Sequence, residues 1–158
     1  MTIARLFSNE TYERLKGSAR DLISAAGGPR RCQGITRGTE SLLSRYGARQ
    51  EEVFAPIDVI ADLEKDAGEP IVTRLLAELS GHLLVPVPTA QNTANWFGHL
   101  SGVLAGGSQV EVALSDALSD GRIDVAEARA LRAKVLEAMT QMASLGTALD
   151  HAIEGVKP

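Results

Sequence analysis

Apolar side chains recur at helical spacing along most of this chain. Tyr12, Leu15, Ala19, Leu22, Ile23 and Ala26 fall on one face of a helix over 9–26. Ser8 or Asn9 can cap it, and Gly27-Gly28 ends it. Pro29 opens a short helix to about Gln33, which Gly34 breaks. A third helix starts near Thr36 or Thr39 and runs to Tyr46, with Leu42, Leu43 and Tyr46 inward and Gly47 as its stop. Pro56 begins a helix holding Ile57, Val59, Ile60 and Leu63, ended by Gly68; Pro70 begins another holding Ile71, Leu75, Leu76 and Leu79, ended by Gly81. His82–Val87 has strand-like composition, but Pro86 and Pro88 rule out a central strand, so an extended connector is expected, with His82 at its start.

The second half carries longer patterns. Residues 86–92 read as a linker. A helix follows with Trp96, Phe97, Leu100, Val103 and Leu104; Gly106-Gly107 is expected to interrupt it, and Ser108 to restart it through Val112, Leu114 and Leu118. Asp120-Gly121 makes a turn, and Asp124 with Glu127 forms a reciprocal capping box. The last helix spans about Val125 to Glu154. Ala128, Leu131, Val135, Ala138, Met142, Leu145, Leu149 and Ala152 alternate by three and four, a heptad seam, with Leu136, Met139 and Ile153 beside it. So wide an apolar face needs more than one neighbour. Helix 93–119 is the expected partner within the chain. The rest of the stripe, with Leu131, Val135, Met142, Leu145 and Leu149 as its oligomerisation residues, suits a second subunit, unless one chain uses the whole face. The expected fold is all-α: a head over 1–85, a linker over 86–92 and an acidic helical hairpin over 93–158.

Hydrophobic residues are 44% of the 158 and aromatics only 4%, so aliphatic side chains fill the core. No apolar run approaches the roughly 20 residues that cross a bilayer, and Met1–Arg5 lacks a signal-peptide core. Cys32 is the only cysteine, so no internal disulfide is possible. The expectation is a cytoplasmic protein with no membrane partner. Cys32 suits a small buried residue better than a redox sensor.

Charge divides by position. Residues 1–50 hold nine basic and four acidic residues, a net +5 inside a chain of net −4. A basic segment attracts phosphate through counterion release. A helix, a Gly-containing turn and a second short helix form the outline of a helix-turn-helix, whose second helix meets base edges with its N-terminal residues. Arg37, Thr39, Glu40, Ser41 and Ser44, followed by Arg45, carry the donors and acceptors for that task. Arg30 and Arg31 open the preceding helix, where phosphates are held. The full expected DNA-contacting set is Arg30, Arg31, Gln33, Thr36, Arg37, Thr39, Glu40, Ser41, Ser44, Arg45 and Arg49. The same charges also fit a solvated basic face.

Other chemistry has little support. Asp116, Asp120, Gly121, Asp124 and Glu127 follow most of an EF-hand loop, but Leu118 stands where a ligand is needed, and a turn plus a capped helix explains all but Asp116. No phosphate-binding glycine motif or metal-spaced Cys/His set occurs, and His82, His99 and His151 are scattered. Neither an enzyme nor a cofactor is expected.

The order LKGSARDLISAAGG, SLLSRYG and APIDVIADLEKDAGEPIVTRLLAELSGHLLVPVP resembles the phage CII-like regulatory proteins and their chromosomal and prophage relatives, over Tyr12 to Pro86. The resemblance implies a DNA-binding transcription regulator, with Thr36–Arg45 as recognition segment and Pro56–Gly81 as a two-helix support. The expected function is sequence-specific duplex-DNA binding by a homo-oligomer. The alternatives are an adaptor whose head binds an acidic protein and a calcium- or metal-responsive helical protein.

Overall fold

The computed structural model describes residues 5–87 and 95–155. The chain divides into two compact units, Met1–Leu84 and Val85–Pro158. Seven helices and no strand occur among the described residues: α1 Asn9–Ala25, α2 Pro29–Cys32, α3 Glu40–Tyr46, α4 Ile57–Ala67, α5 Ile71–Leu79, α6 Trp96–Ala117 and α7 Val125–Gly155. The start of the chain before Arg5, residues 88–92 of the expected linker 86–92, and residues 93–94 and 156–158 of the expected hairpin lie outside the described residues. No helix among them is long and apolar enough to cross a membrane.

In the first unit, α1 is the spine. Ser8 caps it, its Oγ accepting from the Thr11 N–H at 3.2 Å. Its inner face contributes Leu22, Ile23 and Ala26 to a core completed by Cys32 of α2, Leu43 and Tyr46 of α3, Val59 and Leu63 of α4, and Val72 of α5. These five helices thus share one hydrophobic centre, and burying each large side chain contributes about 1.5–3 kcal/mol before entropy is charged against it. Gly47, just past α3, lets that helix close on α1: a Cβ there would stand 2.9 Å from the Arg20 Cα. Glu64 of α4 caps α5 from a distance, its Oε1 accepting from the N–H groups of Val72 and Thr73 at 2.7 and 2.8 Å. That is how α5 starts without a side chain of its own at the cap.

Of the two expected starts of the third helix, Thr39 is the one observed. The helix begins at Glu40, with Thr39 as N-cap accepting from the Leu42 N–H at 3.3 Å. Thr36 and Arg37 belong to the preceding turn, not to the helix.

The second unit is a hairpin of α6 and α7. Asn95 caps α6, and the box between Asp124 and Glu127 starts α7: Asp124 Oδ1 accepts from the Glu127 N–H at 2.8 Å, and Glu127 Oε2 accepts from the Asp124 N–H at 2.8 Å. The break expected at Gly106-Gly107 is absent, because α6 runs through both. Gly106 faces α7, where a Cβ would come within 3.1 Å of the Ala138 Cα. Close packing of the two backbones offsets the roughly 1 kcal/mol that a mid-helix glycine costs. The expected heptad seam divides. Ala138 is buried and Leu131 and Leu145 are half-buried, whereas Val135, Met142 and Leu149 are exposed. Only small residues, Gly106, Ala117, Ala138 and Ala148, are fully buried in the hairpin.

Candidate nucleic-acid interface

The acidic side of α4 organises the head. Asp58, Asp62 and Asp66 follow one another at intervals of four, so they form a row along one side of the helix, away from buried Val59 and Leu63. Each holds one residue of the α2–α3 region. Arg37 is bidentate on Asp58, with Nη2 to Oδ1 at 2.9 Å and Nε to Oδ2. The Thr36 hydroxyl donates to Asp62 Oδ2 at 2.6 Å. Arg31 is bidentate on Asp66, with Nη2 to Oδ1 at 3.1 Å, and its Nη1 also donates to the Ala26 carbonyl at 2.6 Å. Arg31 thereby ties the end of α1, α2 and α4 together.

These pairs set the local electrostatics. Hydrogen bonds from Arg37 and Arg31 hold the Asp58 and Asp66 carboxyls below their ordinary range, and the same bonds raise the two guanidiniums. Arg45 pairs with Glu51 through Nη2 at 2.8 Å, which lowers Glu51 in the same way. Arg49 lies 3.8 Å from Glu13. Lys16 is 3% exposed and donates to the Val53 carbonyl, with its Nζ 4.5 Å from the Phe54 ring centre. Burial lowers its pKa, with Glu51 acting against that shift.

The expected contact residues therefore separate into groups. Glu40, Ser41, Ser44 and Arg45 line one shallow depression with Ala48 on the outer side of α3, while Leu43 and Tyr46 anchor its inner side. The Ser44 hydroxyl donates to the Glu40 carbonyl at 2.9 Å. Arg30 and Gln33 are exposed on and just after α2, and no ion pair engages Arg30 among the described residues. Thr39 is spent on its cap. Thr36, expected to face DNA, is buried, and its hydroxyl is used inside the unit. Arg31 and Arg37 remain exposed but point their guanidiniums at α4.

Pattern reading missed the carboxylates on α4, although three aspartates at intervals of four were visible as a one-sided row. It also missed Arg20, which joins Ser24, Gly28, Pro29, Ser44 and Gly47 around a groove between α1, α2 and α3. The positional charge split does not survive folding. The unit Met1–Leu84 contains eleven basic and twelve acidic residues, because α4, α5 and their flanks supply eight carboxylates against Lys65 and Arg74.

Away from this face, Cys32 is fully buried, its Sγ 3.7 Å from the Ile23 carbonyl oxygen, and burial pushes the thiol up. A raised thiol pKa disfavours the reactive thiolate. His82 Nδ1 sits 2.7 Å from the Ser80 carbonyl oxygen, at the end of α5. In the EF-hand-like stretch, Asp120 Oδ1 accepts from the Arg122 N–H at 3.0 Å, and Asp124 and Glu127 make the cap of α7. No cluster of three or more His, Cys, Asp or Glu suited to a metal ion occurs among the described residues. Comparisons with protein-family models, curated proteins and solved structures find no match to this chain.

Proposed function

We propose that this protein is a sequence-specific duplex-DNA-binding transcription regulator that acts as a homo-oligomer. The observation that carries the reading is the outer face of α3. A capped seven-residue helix is fixed by Leu43 and Tyr46 in the core and presents Glu40, Ser41 and Ser44 outward, with Arg45 beside them held on Glu51. A rigid helix with exposed short polar side chains suits base-edge reading in a major groove. Arg30, exposed on α2, and Arg20, which shares a groove with Ser44, suit phosphate contacts. In this reading Arg31, Thr36 and Arg37 chiefly position the segment by their bonds to α4. The resemblance to phage CII-like regulators supports the same assignment.

A second reading has its own support. A unit with almost balanced charge, whose arginines are largely matched by carboxylates, also suits a protein partner. That partner would be an acidic protein docking on the α2–α3 surface. Binding of the full chain to a duplex library, followed by titration of the selected site over a salt series, separates the two. Selection of a defined motif, with affinity falling as salt rises, supports the regulator. The absence of any duplex selected above background at low salt would leave the adaptor reading standing.

A further inference from the structure

The hairpin hides small residues and displays large ones. Phe97 is 86% exposed and Leu104 61%, and Leu100, Leu114 and Leu118 are exposed as well. With Gly107 and Glu111 these fall at 97, 100, 104, 107, 111, 114 and 118, alternating by three and four. This is a heptad seam on α6 that α7 does not fill. The hairpin also has two unlike flanks. Lys134 donates to Gln109 at 3.0 Å and pairs with Glu137, and Asp116 adjoins, so one flank carries charged and polar groups beside exposed Val112. Helical spacing turns Leu100, Gly107 and Leu114 of α6 and Leu118 just past its end, with Val135, Met142 and Leu149 of α7, towards the opposite flank.

We infer that this apolar flank is the surface through which two copies of the chain pair, with their α6 helices antiparallel and the twofold axis near Gly107 and Ser108. The inference deepens the homo-oligomer part of the reading above and rests on it. A seam of this period fits another long helix of the same pitch, and α6 itself has one. Its spacing reads three-four forwards and four-three backwards, so a reversed copy meets it in register. Phe97 then meets Leu118 of the second copy, Leu100 meets Leu114, and the two Gly107 residues lie at the crossing, where a missing side chain permits close approach. Charge decides the direction. A parallel pair would stack Glu111 on its own counterpart inside an apolar seam, whereas the antiparallel pair separates the two carboxylates by roughly 10 Å, seven residues of helix rise. Size agrees. A flank about 33 Å long and roughly 20 Å wide, the breadth of two packed helices, is of the order of the ~800 Å² that each partner of a standard interface buries. Two such hairpins make a four-helix arrangement with large side chains at its centre, which the single hairpin lacks.

The test uses the full chain. Sedimentation equilibrium should give a dimer mass or a multiple of it for the native protein. Leu100→Glu with Leu104→Glu should give the monomer mass at unchanged helix content, since both positions are exposed within one chain. Cysteine placement tests direction without disturbing the seam. Gly107→Cys, where a Cβ meets nothing within 4 Å in the chain, should crosslink to itself under mild oxidation. Leu100→Cys should crosslink to Leu114→Cys in a mixture but not to itself. The native chain, whose Cys32 is buried, should not crosslink. A monomeric native protein would overturn this inference and the homo-oligomer reading together. A double-glutamate variant that keeps the native mass, or that loses helix while Gly107→Cys fails to crosslink, would overturn the inference alone. Self-crosslinking of Leu100→Cys would overturn the antiparallel register.

Discussion

The guanidinium of Arg37 holds both carboxylate oxygens of Asp58, and this pair joins the turn before α3 to the first turn of α4. An arginine that sequence pattern assigns to a base edge is thus already matched within its own unit. The same holds for Arg31 on Asp66. Both arginines are mostly exposed, as is about half of Asp58, while Asp66 is partly covered; such solvent-screened pairs contribute little to stability, and their main effect is on where the positive charge points.

Removing the α4 carboxylates should therefore release binding capacity. Asp58→Asn and Asp66→Asn are expected to tighten binding to all duplexes alike. Each should steepen the salt dependence by up to about one counterion per freed arginine. The measurement is fluorescence anisotropy on specific and scrambled duplexes over a salt series. Unchanged slopes would place Arg31 and Arg37 away from the phosphates.

Base reading should reside on α3. Glu40→Ala, Ser41→Ala and Ser44→Ala are expected to change which sequences are preferred, a good base contact being worth about 1–3 kcal/mol of discrimination. Arg30→Ala should weaken specific and scrambled duplexes about equally. Competition binding against a randomised library reads both effects, and an exchange of the two behaviours would reverse the roles of α2 and α3.

Three glycines should respond to alanine according to what surrounds them. Gly106→Ala forces a methyl into Ala138, and Gly47→Ala forces one onto the Arg20 backbone. Each should cost about 1–3 kcal/mol, in the hairpin and the head respectively. Gly146→Ala meets nothing within 4 Å and should stabilise α7 by up to about 1 kcal/mol. Urea unfolding of each variant checks the signs.

Acid should loosen the head through its pairs. Asp58, Asp66 and Glu51 are held below the ordinary carboxylate range by their arginines. Their contribution is therefore fully present above the unfolded value of about 4 and is lost as pH falls through the lower folded values. Thermal unfolding from pH 7 down to pH 2.5 should show the fall below about pH 4. A variant combining Asp58→Asn, Asp66→Asn and Glu51→Gln should show a shallower one. Identical curves would mean that these pairs do not couple to folding.

Local signals were legible in the sequence, and distant ones were not. Ser8, Pro56, Pro70 and the Asp124–Glu127 box announce helix starts because a cap involves residues three or four apart. The apolar faces of α1, α4 and α5 follow the same local logic. Thr36 and Arg37 misled because their partners lie 26 and 21 positions away, beyond any helical period. Gly106-Gly107 misled because its reason is Ala138 on another helix. The apolar face of α7 is too wide for one neighbour by pattern alone; which part stays open was not legible, and α6, only about 10 Å wide, covers one side of it and leaves Val135, Met142 and Leu149 exposed. Of the α3 surface, the residue types were legible, while the neutralising row on α4 required knowing which elements adjoin.

The glycine–alanine lining between α6 and α7 has a mechanical consequence. Smooth surfaces provide few knobs to index one helix against its neighbour, so the phase of the hairpin is set chiefly where the chain reverses, at Asp120-Gly121 and Asp124. Adding or removing one residue there would advance α7 by 1.5 Å and rotate it by about 100° relative to α6. Val135, Met142 and Leu149 would turn out of the flank that Leu100, Gly107 and Leu114 share, and it would cease to be continuous. That short bend acts as the tuning peg of the unit, and its length should matter more than its composition.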